Sequence, residues 1–182
     1  MPQMVEMLYR PIEYLEIDTN LFSSFIRRQI VEDWWYKAGG QWTVKRAPFI
    51  DDWSETDYLS LVQHLRNTIR MGGVVLGAFS DGKLKGFASV EGTLLGYGKQ
   101  YEDLSKLHVS QDKRGVGIGR NLFMEAKEYA KKFGAKKLYI SANSAVETQA
   151  FYKTMGCVEA LEYNKLYVEN EPYDCQLEYT LI

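Results

Sequence analysis

The feature that most constrains this chain is the run Arg114-Gly115-Val116-Gly117-Ile118-Gly119, set between a strand-like segment and an amphipathic helix. Ahead of it, Leu104, Leu107 and Val109 read as a half-buried strand that ends in a polar turn at 110–113. Behind it, Leu122, Phe123, Ala126, Tyr129, Ala130 and Phe133 recur at helical spacing through 120–133. A strand, a glycine turn and a helix start aim bare backbone N–H groups at an anion. The first amides of a helix have no internal partner, and the helix dipole adds partial positive charge there. Glycine lets a phosphate come close to the backbone and adopts positive φ without steric penalty. The turn therefore predicts a phosphate-bearing ligand.

Three phosphate-binding patterns compete. A nucleoside-triphosphate loop needs a lysine followed by Ser or Thr directly after its glycines, and none is present. A dinucleotide fingerprint needs a third glycine, whereas Arg120-Asn121-Leu122 follows Gly119. The spacing that fits is Arg-x-x-Gly-x-Gly, at Arg114, Gly117 and Gly119. It resembles the pyrophosphate-binding signature of the GNAT superfamily of N-acetyltransferases, which grips coenzyme A. Downstream, 137–142 reads as a strand, Asn143-Ser144 as a turn, and 145–155 as a short helix stopped by Gly156. Within that helix, Ala150-Phe151-Tyr152-Lys153-Thr154-Met155-Gly156-Cys157 resembles the family's Phe-Tyr block, with Cys157 where the family carries an aromatic residue. The resemblance covers most of 74–181.

Composition narrows the alternatives. At 182 residues, 46% of them hydrophobic and 25% charged, the chain suits a single globular domain, 1–182. A net charge of −2 implies no broad basic surface for nucleic acid. No apolar run is long enough to span a membrane, and residues 1–10 carry Glu6 and no signal-peptide core. Cys157 and Cys175 stand apart in apolar settings and read as reduced core thiols of a cytoplasmic protein. With His64 and His108 the only histidines, no metal site or Ser-His-Asp triad is expected.

Along the chain, 7–17 predicts a first strand, and Thr19 or Asn20 caps a helix whose inner face is Leu21, Phe22, Phe25, Ile26 and Ile30. Ala38-Gly39-Gly40 joins two aromatic strands into a Trp-rich hairpin near 33–45. Ser54-Glu55-Thr56-Asp57 is a capping box for a second helix that uses Tyr58, Leu61, Val62, Leu65 and Ile69; His64 lies off that stripe and reads as a surface residue. Strands follow at 74–79 and 83–90 around Asp81-Gly82, then at 103–109, 137–142 and 173–181. This mixed α/β order matches the GNAT fold, with a central sheet whose parallel strands four and five splay apart and helices on both faces.

The resemblance carries further implications. Leu107, His108 and Val109 would hold the acyl carbonyl and pantetheine amides of acetyl-CoA through main-chain atoms. Amides of Arg114, Gly115, Val116, Gly117, Ile118, Gly119 and Arg120 would hold the pyrophosphate, with Asn143 and Lys153 also near the cofactor and the Arg114, Arg120 and Lys153 side chains countering its charge. Tyr152 would protonate the departing thiolate, as a phenol is a competent donor. For the base, Asp103 lies near the position of the family's catalytic glutamate, with Glu102 and Glu91 beside it and His108 as a substitute. No metal is implied.

For the acceptor, Trp34, Trp35, Tyr36, Trp42 and Trp53 lie close in sequence to Glu32, Asp33, Asp51, Asp52, Glu55 and Asp57. Carboxylates attract a cationic amine, and aromatic faces add roughly 0.5–2 kcal/mol of cation–π energy. The expected acceptor is a small cationic amine, with Trp34, Trp35 and Glu91 at its site. A protein or peptide amine and a non-catalytic acyl-CoA-binding module are the alternatives. The same tryptophan-rich hairpin also admits a homodimer face.

Overall fold

The computed structural model describes residues 5–182. A short strand, β1 (Met7–Pro11), leads through two 3₁₀ turns to a long ribbon of β2 (Arg28–Ala38) and β3 (Gln41–Asp52). Then come α1 (Glu55–Arg70), β4 (Val74–Ser80), β5 (Lys83–Val90), β6 (Tyr101–Val109) and α2 (Ile118–Lys132). The chain closes with β7 (Lys137–Ala142), α3 (Val146–Met155), β8 (Val158–Glu159), α4 (Lys165–Asn170) and β9 (Cys175–Thr180). The 7-stranded sheet has the order β1-β4-β5-β6-β7-β9-β8, and β2–β3 forms its own two-stranded sheet. Within the large sheet only β6 and β7 run parallel.

Strand alternation sorts the central side chains into two layers. Val74, Leu76, Ala78, Ala88 and Val90 join Ile118, Leu122, Phe123, Ala126 and Ala130 of α2 in one core. Val75, Phe79, Leu84 and Phe87 join Leu61, Val62 and Leu65 of α1 in the other. Covered on both faces, β4 and β5 read as continuous apolar runs rather than alternating ones. The expected capping box starts α1: Ser54 Oγ accepts from the Asp57 amide, and Asp57 Oδ2 accepts from the Ser54 amide at 2.7 Å. Asp81 and Gly82, both at positive φ, make the tight β4–β5 turn.

The helix expected over 19–30 does not form. Asp18, rather than Thr19 or Asn20, caps a single 3₁₀ turn at Thr19–Phe22, accepting from the Leu21 amide at 3.0 Å. Phe22 and Phe25 are buried as expected, but Ile26 and Ile30 are exposed and Ile30 pairs with Ile50 across the ribbon. The β-branched and aromatic run from Ile30 to Tyr36 favours a strand once a partner is available. That ribbon spans Arg28 to Asp52, well beyond the expected 33–45. The first strand ends at Pro11, short of the expected 17, and α4, capped by Asn164, has no counterpart in the expectations above. Both cysteines are free and buried, and no helix among the described residues is long and apolar enough to cross a membrane.

Candidate active site

The parallel pair opens into a cleft. β6 and β7 pair only at Tyr101↔Lys137, Glu102↔Leu138 and Asp103↔Tyr139. Beyond that point β6 stays with β5 as far as Val109↔Gly86, and β7 stays with β9 as far as Ala142↔Cys175. Each strand thus keeps its outer partner and loses its inner one. Alternate residues from Leu104 to Val109, a stretch containing Leu107, His108 and Val109, aim peptide groups at an edge with no strand beside it. Buried backbone groups of this kind require a partner, and an extended ligand with amides supplies one.

The glycine turn caps the open end of β6. The first α2 hydrogen bond runs from the Asn121 amide to the Gly117 carbonyl, so the amides of Ile118, Gly119 and Arg120 point free of the helix. Gly115 (φ 80°) and Gly117 (φ 91°) sit in the left-handed region, and a Cβ added to either meets open space. A side chain at either position would fill that space. Gly119 differs: its added Cβ would lie 3.2 Å from the Phe151 ring, so its smallness serves helix packing. Ile118 is buried in the α2 core, whereas Val116 and Arg120 are exposed. The Arg114 guanidinium donates through Nε to the Val109 carbonyl at 3.3 Å, which brings its charge over the end of β6.

The Phe151 contact with Gly119 places α3 against the glycine turn. Tyr152 is buried, with its ring edge-on to Phe151 at 5.1 Å and to Phe123 at 6.4 Å. Burial, followed by the charges of Cys157, Asp103 and Asp174, drives its phenol well above the ordinary tyrosine range. The hydroxyl therefore stays protonated at neutral pH, the state a proton donor needs. Lys153, next along α3, is exposed. Asn143, at the end of β7, accepts from the Ala145 amide at 3.2 Å through Oδ1 and from Gln149 Nε2 at 2.7 Å through its carbonyl, fixing the start of α3.

Four titratable groups gather where β6 leaves β7. Asp103 is buried and accepts from the Tyr167 hydroxyl at 2.5 Å; burial outweighs that bond and pushes its carboxyl up to about 7. Glu102, on the opposite face beside Leu138, is fully buried, and neither carboxylate oxygen has a partner among the described residues. Burial pushes it up to about 7 as well. Glu91 follows β5 and accepts at one oxygen, Oε1, from Thr68 Oγ1 (2.8 Å) and Ser105 Oγ (2.6 Å), with His64 Nε2 at 3.1 Å. Burial alone would raise Glu91, but the bonds from His64, Ser105 and Thr68 hold it below the usual carboxylate range. His64, expected to be a surface residue, is thus brought to the carboxylates, and its spacing on α1 carries no local signal of this.

His108 lies on the α1 side of the sheet, opposite Leu107 and Val109 as strand alternation predicts. Its ring stands edge-on to Trp53 at 4.8 Å and tilts over Phe87 at 5.5 Å. Burial, reinforced by the cations Arg27, Lys106 and Arg114, drives its pKa well below 6.5. A neutral, weakly basic imidazole is a poor substitute for the carboxylates.

The ribbon seals the β7 side of the cleft. The Trp35 amide donates to the Ser144 carbonyl at 2.8 Å, Trp34 bridges Ala145, and Lys37 pairs with Glu159 at 2.9 Å. Trp34 stacks on Phe49 at 4.6 Å and donates from Nε1 to the Ala47 carbonyl, so its ring organises the ribbon itself. Two of the acids singled out above have structural partners: Asp51 pairs with Arg27 at 2.7 Å, and Asp57 caps α1. Glu32, Asp33 and Asp52 form no ion pair among the described residues.

A mixed sheet with one splayed parallel pair and an amide-lined turn at the mouth defines a class of acyl-carrier-binding α/β proteins. Over residues 52–166 the chain matches the family model described as acetyltransferase (GNAT) domain. The chain belongs to the GNAT acetyltransferase family and is an acyltransferase, and acetyl-CoA is that family's cosubstrate. Its fold is similar to that of a nourseothricin acetyltransferase (TM-score 0.72, 16% identity, covering 97% of this chain and 99% of that one). It is also similar to the PaiA N-acetyltransferase of Thermoplasma acidophilum in complex with coenzyme A (0.59, 15%, 96% and 99%). An aminoglycoside 6'-N-acetyltransferase complexed with coenzyme A matches over less of its length (0.55, 15%, 71% and 82%). At these identities the likeness is one of fold. No curated protein matches the chain.

Proposed function

We propose that this chain moves an acetyl group from acetyl-CoA directly to a primary amine of a small cationic molecule. One observation carries the reading: the unpaired edge of β6, the free amides of 115–120 and the Tyr152 helix converge on one opening. The side-chain-free space at Gly115 and Gly117 fits a diphosphate, with Arg114 and Arg120 bringing positive charge nearby. The edge at 107–109 would hold the pantetheine amides, and an N–H there would take up charge developing on the thioester oxygen. Such a donor contributes on the order of 10²–10³ in rate.

The amine enters from the α1 and ribbon side. Its lone pair attacks the acyl carbon, the C–N bond forms and the C–S bond breaks. Tyr152 gives its proton to the departing sulfur and is reprotonated by solvent. Asp103, raised to about 7, is matched to taking a proton from nitrogen near neutral pH. Glu91, held ionised, attracts the ammonium group. Glu32, Asp33 and Asp52 on the ribbon, with Trp35 beside them, support a cationic acceptor, and the similar antibiotic acetyltransferases lend that class further weight.

Titration calorimetry with acetyl-CoA, followed by a free-thiol assay over spermidine, kanamycin, nourseothricin and lysine-containing peptides, tests the reading. Saturable binding with turnover of the small amines is expected. Turnover of peptides alone would reassign the acceptor, binding without any turnover would leave a carrier-binding module, and no binding would remove the reading altogether.

A further inference from the structure

Converting an ammonium group into an amide releases two protons from nitrogen, one before attack and one after. Tyr152 returns only one to sulfur, so the reaction sheds a net proton. Asp103 is buried and already engaged by Tyr167, which makes it an awkward sole acceptor for both. Next to it lies a second polar group that the family resemblance does not account for. Where β6 pairs with β5, the register shifts between Ser89 and Val90, leaving Ser105 as an unpaired bulge residue at the closed end of the cleft, just past the last β6–β7 pair. Ser105 Oγ is 2.6 Å from Ser89 Oγ, 2.6 Å from Glu91 Oε1 and 3.1 Å from His64 Nε2. Ser89 and Thr68 are wholly buried, whereas the His64 side chain is 38% exposed and that of Glu91 21%. The cluster thus runs from the bulge in the cleft wall to solvent. Glu91 shares Nε2 with Ser105 instead of engaging the other ring nitrogen, so this is no nucleophile-activating triad.

We propose that His64, held by Glu91 and Ser105, receives the ammonium proton of the acceptor and delivers it to solvent before the amine attacks. The proposal rests on the transferase reading above. In the step, the N–H bond of R–NH₃⁺ breaks and its electron pair stays on nitrogen. With the resting ring protonated on Nδ1, Nε2 faces Ser105 Oγ as an acceptor. The ammonium proton passes across Ser105 Oγ to Nε2, and the imidazolium, now donating from Nε2 to Glu91, releases its Nδ1 proton to water. The second nitrogen proton, lost after the C–N bond has formed, falls to Asp103. The charged and titratable groups acting on this cluster are Glu91 after β5, Asp103, Glu102 and Lys106 on β6, and Tyr167 on α4. Three of them are carboxyls, and Glu91 lies against the ring at 3.1 Å.

The test compares wild type with His64→Ala and His64→Gln in steady-state kinetics on acceptors of differing basicity. With spermidine or kanamycin near neutral pH, the variants should lose about a hundredfold in kcat/KM, the lower end of the general-base range of roughly 10²–10⁴. The loss should shrink as pH approaches the amine's own pKa and be small for weakly basic glycinamide. Added imidazole should restore part of the alanine variant's rate. A purely structural role would depress all acceptors alike and ignore imidazole. Because His64 is partly exposed, both variants should fold; Ser105→Ala, which cuts the cluster at its other end, should show the same dependence on acceptor basicity if either does not. Variants equal to wild type on every acceptor, or equally impaired on all of them, overturn the proposal while leaving the transferase reading in place. A wild-type protein that binds acetyl-CoA and acetylates no amine overturns both.

Discussion

Replacing Glu102 with methionine should stabilise the protein at neutral pH, by an amount that depends on pH in a calculable way. The carboxyl is fully buried beside Leu138, its oxygens lack partners among the described residues, and burial moves it from 4.5 to about 7. Between those values the folded chain holds a proton that the unfolded chain has released. Stability therefore falls as pH rises through that window and levels off above it. At 1.36 kcal/mol per pH unit, the fall attributable to Glu102 is about 3 kcal/mol. A methionine side chain has a similar volume and no charge, so the variant lacks this fall. Asp103, which also titrates near 7 and whose charge helps raise Glu102, is present in both proteins, so the difference reports Glu102 together with that coupling. Urea unfolding followed by tryptophan fluorescence, from about pH 5 to about pH 8, measures that difference directly. The stability of Glu102→Met relative to wild type should climb by about 3 kcal/mol across the series. A difference that stays flat, or one that declines, refutes the assignment of Glu102 as an unpaired buried acid.

Four other substitutions probe separate parts of the molecule. Tyr152→Phe should lower kcat by roughly 10²-fold or more, as expected for loss of a general acid, while calorimetric affinity for acetyl-CoA stays within a factor of a few; an unchanged kcat removes the donor role. Gly117→Val and Gly119→Leu should fail differently. The first strains a left-handed residue and fills the amide-lined space, abolishing acetyl-CoA binding, whereas the second drives a side chain into Phe151 and should show first as a lowered Tm. Lys137→Met should destabilise by about 3–5 kcal/mol in denaturant titration. It strips an ion pair at 3.0 Å from the buried Glu178, which also accepts from Tyr101 at 2.6 Å. Burial opposes ionisation of Glu178, but the Tyr101 and Lys137 bonds win and hold its pKa below 4.5. The wild type gains that stability above 4.5 and loses it as pH falls through the lowered value, whereas the variant should lack this acid-side loss.

The elements that frame the candidate cofactor site were legible because they are local. A strand, a glycine turn and a helix occupy 101–132 without interruption, and Gly115 and Gly117, both at positive φ, mark a backbone requirement that only sequence-adjacent residues decide. The α1 capping box and the Asp81-Gly82 turn were readable for the same reason. The segment 19–30 was not, because its helical spacing of Leu21, Phe22, Phe25 and Ile26 is shared by a chain that turns once, buries two phenylalanines and then extends. What decides between them is the availability of β3 as a partner, a matter of long-range pairing. His64 was misplaced by a similar limit. It lies off the apolar stripe of α1, and neither Glu91 nor Ser105 is near it in the chain. Local periodicity separates a core face from a polar one, but not a solvated polar face from one that meets a strand bulge.

The same contrast bears on how acceptor choice is built. An isolated two-stranded ribbon is marginal in water, and this one presents Tyr36, Val44, Phe49 and Ile50 to solvent. Besides the buried Val31 and a Gln29–Thr148 bond to α3, its hold on the rest of the fold includes the Trp35–Ser144 backbone bond, the Trp34–Ala145 bridge and the Lys37–Glu159 ion pair. The two tryptophan links attach just past the open end of β7 and the ion pair reaches the edge strand β8, so the ribbon is anchored beside the splay proposed above to take the acyl carrier. On the proposed function, changes in ribbon sequence would reshape the acceptor side without disturbing the amides of 115–120 or the β6 edge, which adjoin the layers around α2. On that same function, weak attachment on one side of the cleft and dense packing on the other would divide specificity from acyl-carrier binding, because the α2 side is buried in the core while the ribbon is held by few contacts.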